Sequence, residues 1–179
     1  MNRITQLDPA HATSKTKQLF DGVQSDLGIV PNLFRVLGTA PAALEGYLNF
    51  SGALAGGSLN AKVREQIALA VAEGNLCGYC LSAHTFIGGK VGLTEKDIAD
   101  ARHAYAAAEK TDAILKLARS IVVQRGEVSD TDLLRARTAG LTDSDVVETV
   151  ANVALNIFTN YVNHVARTVV DFPEVKPGN

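Results

Sequence analysis

Tryptophan is absent from this 179-residue chain, methionine occurs once and cysteine only twice. Aromatic residues make up 6 % of it, with no convincing run of alternating strand residues and no Asn-Gly or Asp-Gly hairpin turn. These gaps argue against a sheet-built fold. No segment approaches ~18 consecutive apolar residues, the length a membrane-spanning helix requires. The first twenty residues, "MNRITQLDPAHATSKTKQLF", lack the apolar core of a signal peptide. The expectation is a cytoplasmic protein with no membrane partner. Lys and Arg form no run of five or more, and the net charge is -2 with a pI near 6.1. That balance offers no basic patch for nucleic acid.

What remains is ordinary globular composition, 46 % hydrophobic and 20 % charged, in a chain long enough for one domain with its own core. The long segments carry helical periodicity. "PNLFRVLGTAP" is a short piece bracketed by Pro31 and Pro41. "PAALEGYLNFSGALAGG" then reads as a helix with proline in its first turn and a Gly pair at its end. In "LNAKVREQIALAVAEGN", Asn60 is the expected N-cap and Val63, Ile67, Ala70 and Val71 form an apolar stripe. Gly74 and Asn75 break that helix, and the next should run from near Cys77 to about Gly88. "LTEKDIADARHAY" and the long C-terminal "LTDSDVVETVANVALNIFTNYVNHVARTVV" both open with Thr-x-x-Asp. Between them lie an amphipathic "TDAILKLARSIVVQRG" and a shorter helix closed by Gly140. The reading is a single all-α domain, residues 1–179, of roughly eight helices. The helix of Glu65 should lie antiparallel to the cysteine helix, with Gly78 and Ala83 allowing close approach.

Both cysteines fall in "GNLCGYCLSAH". On a helix, Cys77 and Cys80 are i, i+3 neighbours with Cβ atoms roughly 5–6 Å apart, close enough that a reversible disulfide needs little adjustment. In a reducing compartment such a pair is a catalytic or metal-binding arrangement before it is a static staple. His84 stands at i+4 from Cys80 and two turns from Cys77, so nucleophile–base logic selects Cys80 as the attacking thiolate. Helix-terminal position alone would favour Cys77. A metal site is short of ligands: Cys77, Cys80 and His84 make three, and a fourth would have to come from Glu65, Glu73, His103 or His164. The plain alternative is two buried thiols beside a core histidine.

"REQIALAVAEGNLCGYCLSAHT" resembles the core of the superfamily that unites carboxymuconolactone decarboxylases with alkylhydroperoxidase D. "GIVPNLFRVLGTAP" and "NIFTNYVNHVARTVVDFP" are similar to flanking segments of its peroxidase-related branch, so the resemblance spans about residues 25–173. It implies an alkylhydroperoxidase D-like helical bundle. It assigns Cys80 as the peroxidatic cysteine, Cys77 as the resolving one, His84 as the proton-relay histidine and Glu65 as the acid that completes the relay. The decarboxylases proper lack the cysteine pair. Alkylhydroperoxidase D itself carries a further His directly before the second Cys, where this chain has Tyr79, a phenol too weakly acidic to serve as a base near neutral pH. Tyr79, Glu73, Asn160 and His164 are the remaining candidates for the pocket.

The implied function is a thiol peroxidase with a hydroperoxide substrate and an external dithiol or protein reductant, needing no haem, flavin or metal. Assembly into a homo-oligomer is expected because "VANVALNIFTNYVNHVA" is apolar around more of its circumference than one buried face needs, and the resemblance implies a trimer or hexamer. Three other readings stay open. The pair could serve as a redox sensor, or as a disulfide oxidoreductase without peroxidase turnover. Lactone chemistry using only His84 and Glu65 would leave the cysteines incidental.

Overall fold

The computed structural model describes residues 3–178. Among them are nine α-helices and no strand. A 3₁₀ turn at Pro9–His11 leads into α1 (Ser14–Leu27), followed by α2 (Asn32–Leu37), α3 (Pro41–Ala55), α4 (Ala61–Gly74), α5 (Gly78–Lys90), α6 (Glu95–Arg102), α7 (Glu109–Gln124), α8 (Asp130–Thr138) and α9 (Asp143–Ala166). The all-α expectation holds. The helix not anticipated is α1, whose few apolar residues are diluted by polar ones, yet Phe20 and Val23 are buried in the common core.

Local chemistry sets most of the boundaries. The Asn60 side chain accepts a hydrogen bond from Val63 N at 3.1 Å and starts α4. Reciprocal capping boxes open α6 (Thr94 with Asp97), α8 (Ser129 with Asp132) and α9 (Thr142 with Asp145). Each such cap contributes about 1 kcal/mol. Gly140 closes the α8 turn at φ +87, a left-handed conformation that glycine adopts without strain and other residues rarely do.

Helix α4 is the axis of the domain and packs on α5, α6, α7 and α9. Every residue from Gln66 to Glu73 is buried, so the stripe read from the sequence understates its burial: neighbours surround the C-terminal half of this helix on all sides. Only three residues, Asn75 to Cys77, join it to α5, which forces the two helices back along each other as an antiparallel hairpin. The small residues expected at that contact are used elsewhere. Gly78 faces the C-terminal segment, where an added Cβ would lie 3.7 Å from Pro177, and Ala83 lines a cavity.

After α9 the chain turns at Arg167 (φ 50) and returns across α5 without regular structure. Val175 N donates to Ser82 Oγ at 2.9 Å, and Arg102 Nη2 donates to Lys176 O at 2.9 Å. Asn32 N donates to Asp171 at 2.8 Å, tying the same segment to the start of α2. This strap puts Phe172 against the cysteine helix.

Candidate active site

Helix α5 begins on a cysteine. Cys77 is its N-cap, and the Sγ accepts from Cys80 N at 3.3 Å, a role usually taken by an oxygen of Ser, Thr, Asp or Asn. The turn before it places Leu76 in the left-handed region at φ 54. Its shape is held from α9: Asn75 Nδ2 donates to Asn160 Oδ1 at 2.9 Å, and the His164 ring nitrogen Nε2 lies 2.8 Å from Asn75 O. Cys77 and Cys80 are joined as a disulfide with Cα atoms 5.3 Å apart, and each is only 2 % exposed.

His84 and Glu65 come from the two arms of the α4–α5 hairpin. His84 Nδ1 lies 2.8 Å from Glu65 Oε2, both side chains being mostly buried. With Nδ1–H donated to the carboxylate, Nε2 is left as the basic nitrogen. His84 forms a partition between two spaces. On one side is an apolar cavity of about 140 Å³ lined by Cys80, Tyr79, Phe34, Phe86, Phe172 and Asn163, among others. On the other is a small polar cavity of about 70 Å³ lined by Glu65, Arg64, Ser51, Asn152 and Asn156. His84 and Tyr47 line both; Cys80 lines only the first and Glu65 only the second. Cys77 lines neither. The sulfur that meets the apolar cavity is that of Cys80.

The phenols here are not bases. Tyr79 OH accepts from Leu33 N at 3.1 Å, and its ring meets Phe172 edge-on at 5.9 Å. Burial, with the neighbouring charge of Asp171, pushes the Tyr79 pKa above the ordinary phenol range. Burial first, and then the Glu65 carboxylate, raises Tyr47 to about 12. A raised folded-state pKa favours the fold fully below the unfolded value near 10 and loses that contribution as pH climbs through the folded value. Thermal melts over about pH 9–12 should therefore show stability falling in this window, with a shallower fall in Tyr47→Phe.

Other sequence candidates lie elsewhere. Glu73 is turned from the cavity into a buried ion pair with Arg102 Nε at 2.8 Å, and it also accepts from Gly178 N. Asn160 and His164 do not line the apolar cavity but brace the Asn75 turn behind it. Among the described residues no cluster of three or more His, Cys, Asp or Glu is arranged to hold a metal ion, and no helix is long and apolar enough to cross a membrane.

Residues 41–124, which hold the cysteine pair, His84 and Glu65, match the sequence pattern of the carboxymuconolactone decarboxylase family. That segment of the chain is similar to this family's core. Solved structures agree in fold. A crystal structure of an alkylhydroperoxidase AhpD core, an uncharacterized peroxidase-related protein from Ralstonia eutropha JMP134, is 26 % identical, with a TM-score of 0.82 over 95 % of this chain and 92 % of that one. An uncharacterized peroxidase-related protein from Silicibacter sp. TM1040 is 22 % identical, with a TM-score of 0.79 over 93 % and 92 %. The debrominase Bmp8, as a cysteine-to-alanine variant in complex with 2,3,4-tribromopyrrole, is 16 % identical, with a TM-score of 0.81 over 94 % and 91 %. The last two likenesses concern the fold alone. No curated protein sequence matches the chain.

Two residues lining the apolar cavity were not singled out from the sequence. Tyr47 reaches both cavities from α3, and Asn163 of α9 donates from Nδ2 to Cys80 Sγ at 3.3 Å. Asn163 carries a signal in retrospect: Asn152, Asn156, Asn160 and Asn163 fall within roughly 80° of arc on one helix, and all four are buried.

Proposed function

We propose that the protein is a thiol-dependent peroxidase. The observation that carries this reading is that Cys80 faces an apolar cavity while bonded to Cys77 on one side, with His84 on the same cavity wall and Glu65 hydrogen-bonded to it from the other side. In the reduced enzyme His84 Nε2 takes the Cys80 proton and Glu65 holds the resulting imidazolium. The thiolate attacks the outer oxygen of a hydroperoxide, the O–O bond breaks, and the leaving alkoxide takes the proton from His84. The products are an alcohol and a Cys80 sulfenic acid. Cys77 then attacks that sulfur and expels water, giving the disulfide. An external dithiol reduces it, attacking the cavity-facing Cys80 and displacing Cys77 as a thiolate at the start of α5, where the helix dipole favours negative charge. The test is hydroperoxide consumption coupled one-to-one to dithiol oxidation. Dithiol exchange without peroxide consumption would leave only an oxidoreductase.

A second reading is favoured by the aromatic lining of the cavity, with Phe34, Tyr47, Tyr79, Phe86 and Phe172 around Cys80, and by the debrominase among the structural neighbours. A brominated ring lodged there would lose bromine to the Cys80 sulfur and be released protonated, with bromide freed when Cys77 closes the disulfide. Bromide release in place of peroxide consumption distinguishes the two.

The assembly expectation gains support from α9, where Val147, Val150, Phe158, Tyr161 and Val165 are exposed along one side of a helix whose other side is in the core. Apolar side chains at that spacing form a continuous stripe. Sedimentation at micromolar concentration should show a homo-oligomer, and Phe158→Glu together with Val165→Glu should shift it towards monomer. A monomeric wild type would refute this use of the helix.

A further inference from the structure

Asn163 sits at 4 % exposure on the wall of the apolar cavity. Its Nδ2 donates to Cys80 Sγ at 3.3 Å. Its Oδ1 is buried with no hydrogen-bond partner among the described residues. A buried amide oxygen left in that state costs about 1–3 kcal/mol, so a single side chain both contacts the reacting sulfur and holds an unused acceptor next to it. The amide orientation follows from chemistry, since sulfur lone pairs attract an N–H and repel a carbonyl oxygen.

We propose that Asn163 is a catalytic residue: its N–H stabilises the Cys80 thiolate, and its free Oδ1 accepts the O–H of the incoming hydroperoxide. This rests on the peroxidase reading for its substrate and on the contact alone for its action on the sulfur. The atoms balance around it. In Cys80–S⁻ + H–O–O–R, the S–O bond forms to the outer oxygen and the O–O bond breaks. Sulfur loses two electrons to oxygen, and RO⁻ takes its proton from the His84 imidazolium. The hydrogen on the outer oxygen never leaves. It becomes the sulfenic acid hydrogen, so the bond to Oδ1 passes unbroken from substrate to intermediate and holds that oxygen in place until Cys77 attacks. Asn163 also distinguishes the two cysteines, because among the described residues Cys77 Sγ has only the backbone N–H of Cys80 as a donor.

The other titratable groups lining the cavity are His84 and Tyr79 of α5 and Tyr47 of α3, with Glu65 of α4 acting through His84. From α9 come only Thr159 and Asn163, and from the strap only Phe172, none of them charged. These groups are unchanged in the Asn163 variants, so an effect of Asn163 on the thiol is read by comparing each variant with its parent.

The experiment uses the full chain with Cys77→Ser, so that Cys80 alone reports. Iodoacetamide alkylation against pH gives the thiol pKa, and cumene hydroperoxide gives the rate of sulfenic acid formation. Asn163→Ala should raise the thiol pKa by about one unit, the size expected for a hydrogen bond to a charged group. Asn163→Asp, nearly isosteric and suited to the case where alanine does not fold, should raise it further by placing a carboxylate beside the thiolate. Above that pKa, where the thiolate is fully formed, Asn163→Ala should slow the hydroperoxide reaction roughly tenfold. Alkylation, which offers no O–H, should change less than about threefold under the same conditions. An unchanged pKa in both variants would overturn the donor role, and equal slowing of both reagents would overturn the acceptor role. If the Cys77→Ser parent consumed no hydroperoxide while Asn163→Ala still moved the pKa, the peroxidase reading would fail and the thiolate contact would stand.

Discussion

Cys80→Ser is expected to reduce hydroperoxide consumption to the uncatalysed background. The hydroxyl that replaces the thiol is a far weaker nucleophile at neutral pH, and Cys77, buried at the helix cap and absent from the cavity wall, cannot stand in for it. Cys77→Ser should behave differently. One equivalent of hydroperoxide is consumed, and a sulfenic acid accumulates on Cys80 that dimedone labels and mass spectrometry locates. His84→Ala should slow the first step about a hundredfold, within the usual range for losing a positioned general base. It should still allow a strong oxidant to close the disulfide, because the sulfur positions do not depend on it. Glu65→Gln should act the same way more mildly, being one bond removed at 2.8 Å from Nδ1. A dimedone label on Cys77 in the Cys80→Ser protein would reverse the two roles.

The largest effect on stability is expected from Arg102→Ala. The guanidinium donates to Glu73 at 2.8 Å and to Lys176 O at 2.9 Å, and the Glu73 side chain is 9 % exposed. Removing the cation leaves a nearly buried carboxylate unpaired, a change that costs about 3 kcal/mol. In a domain of this size that lowers Tm by roughly 6–12 °C. Adding Glu73→Gln should restore part of the loss, since the neutral amide needs no counter-charge and its oxygen can still accept from Gly178 N. Thermal melts of the three proteins decide the matter. A shift under about 2 °C for Arg102→Ala would mean that water reaches Glu73 freely.

What could be read from the sequence divides along the range of the interactions involved. The start of α4, the capped starts of α6 and α9 and the Cys77–Cys80–His84 series rest on steps of three or four residues, and local spacing carries them. The Glu65–His84 contact joins residues 19 apart, yet the short Asn75–Cys77 connection makes it readable, because two helices joined so tightly must lie side by side. Glu73 was harder. Its partners Arg102 and Gly178 are brought in by α6 and by a strap that has no periodicity, so proximity to Cys77 in sequence suggested the wrong neighbourhood. For Asn160 and His164 the error was one of rotation. Both lie on the correct helix, but the residue between them that meets the sulfur is Asn163, and the face each position presents depends on how α9 is turned against α5.

Because Cys80, and not Cys77, opens onto the apolar cavity and both sulfurs are otherwise enclosed, the oxidant and reductant of the proposed function would share one doorway. The proposed cycle is therefore a two-stroke one in which each reagent must leave before the other arrives. A bulky hydroperoxide or its alcohol lingering against Phe86 and Phe172 blocks the dithiol, and excess dithiol blocks the peroxide. Initial rates should give parallel double-reciprocal lines with mutual substrate inhibition at high concentration. That trade-off sets a ceiling on turnover independent of how fast the sulfur reacts.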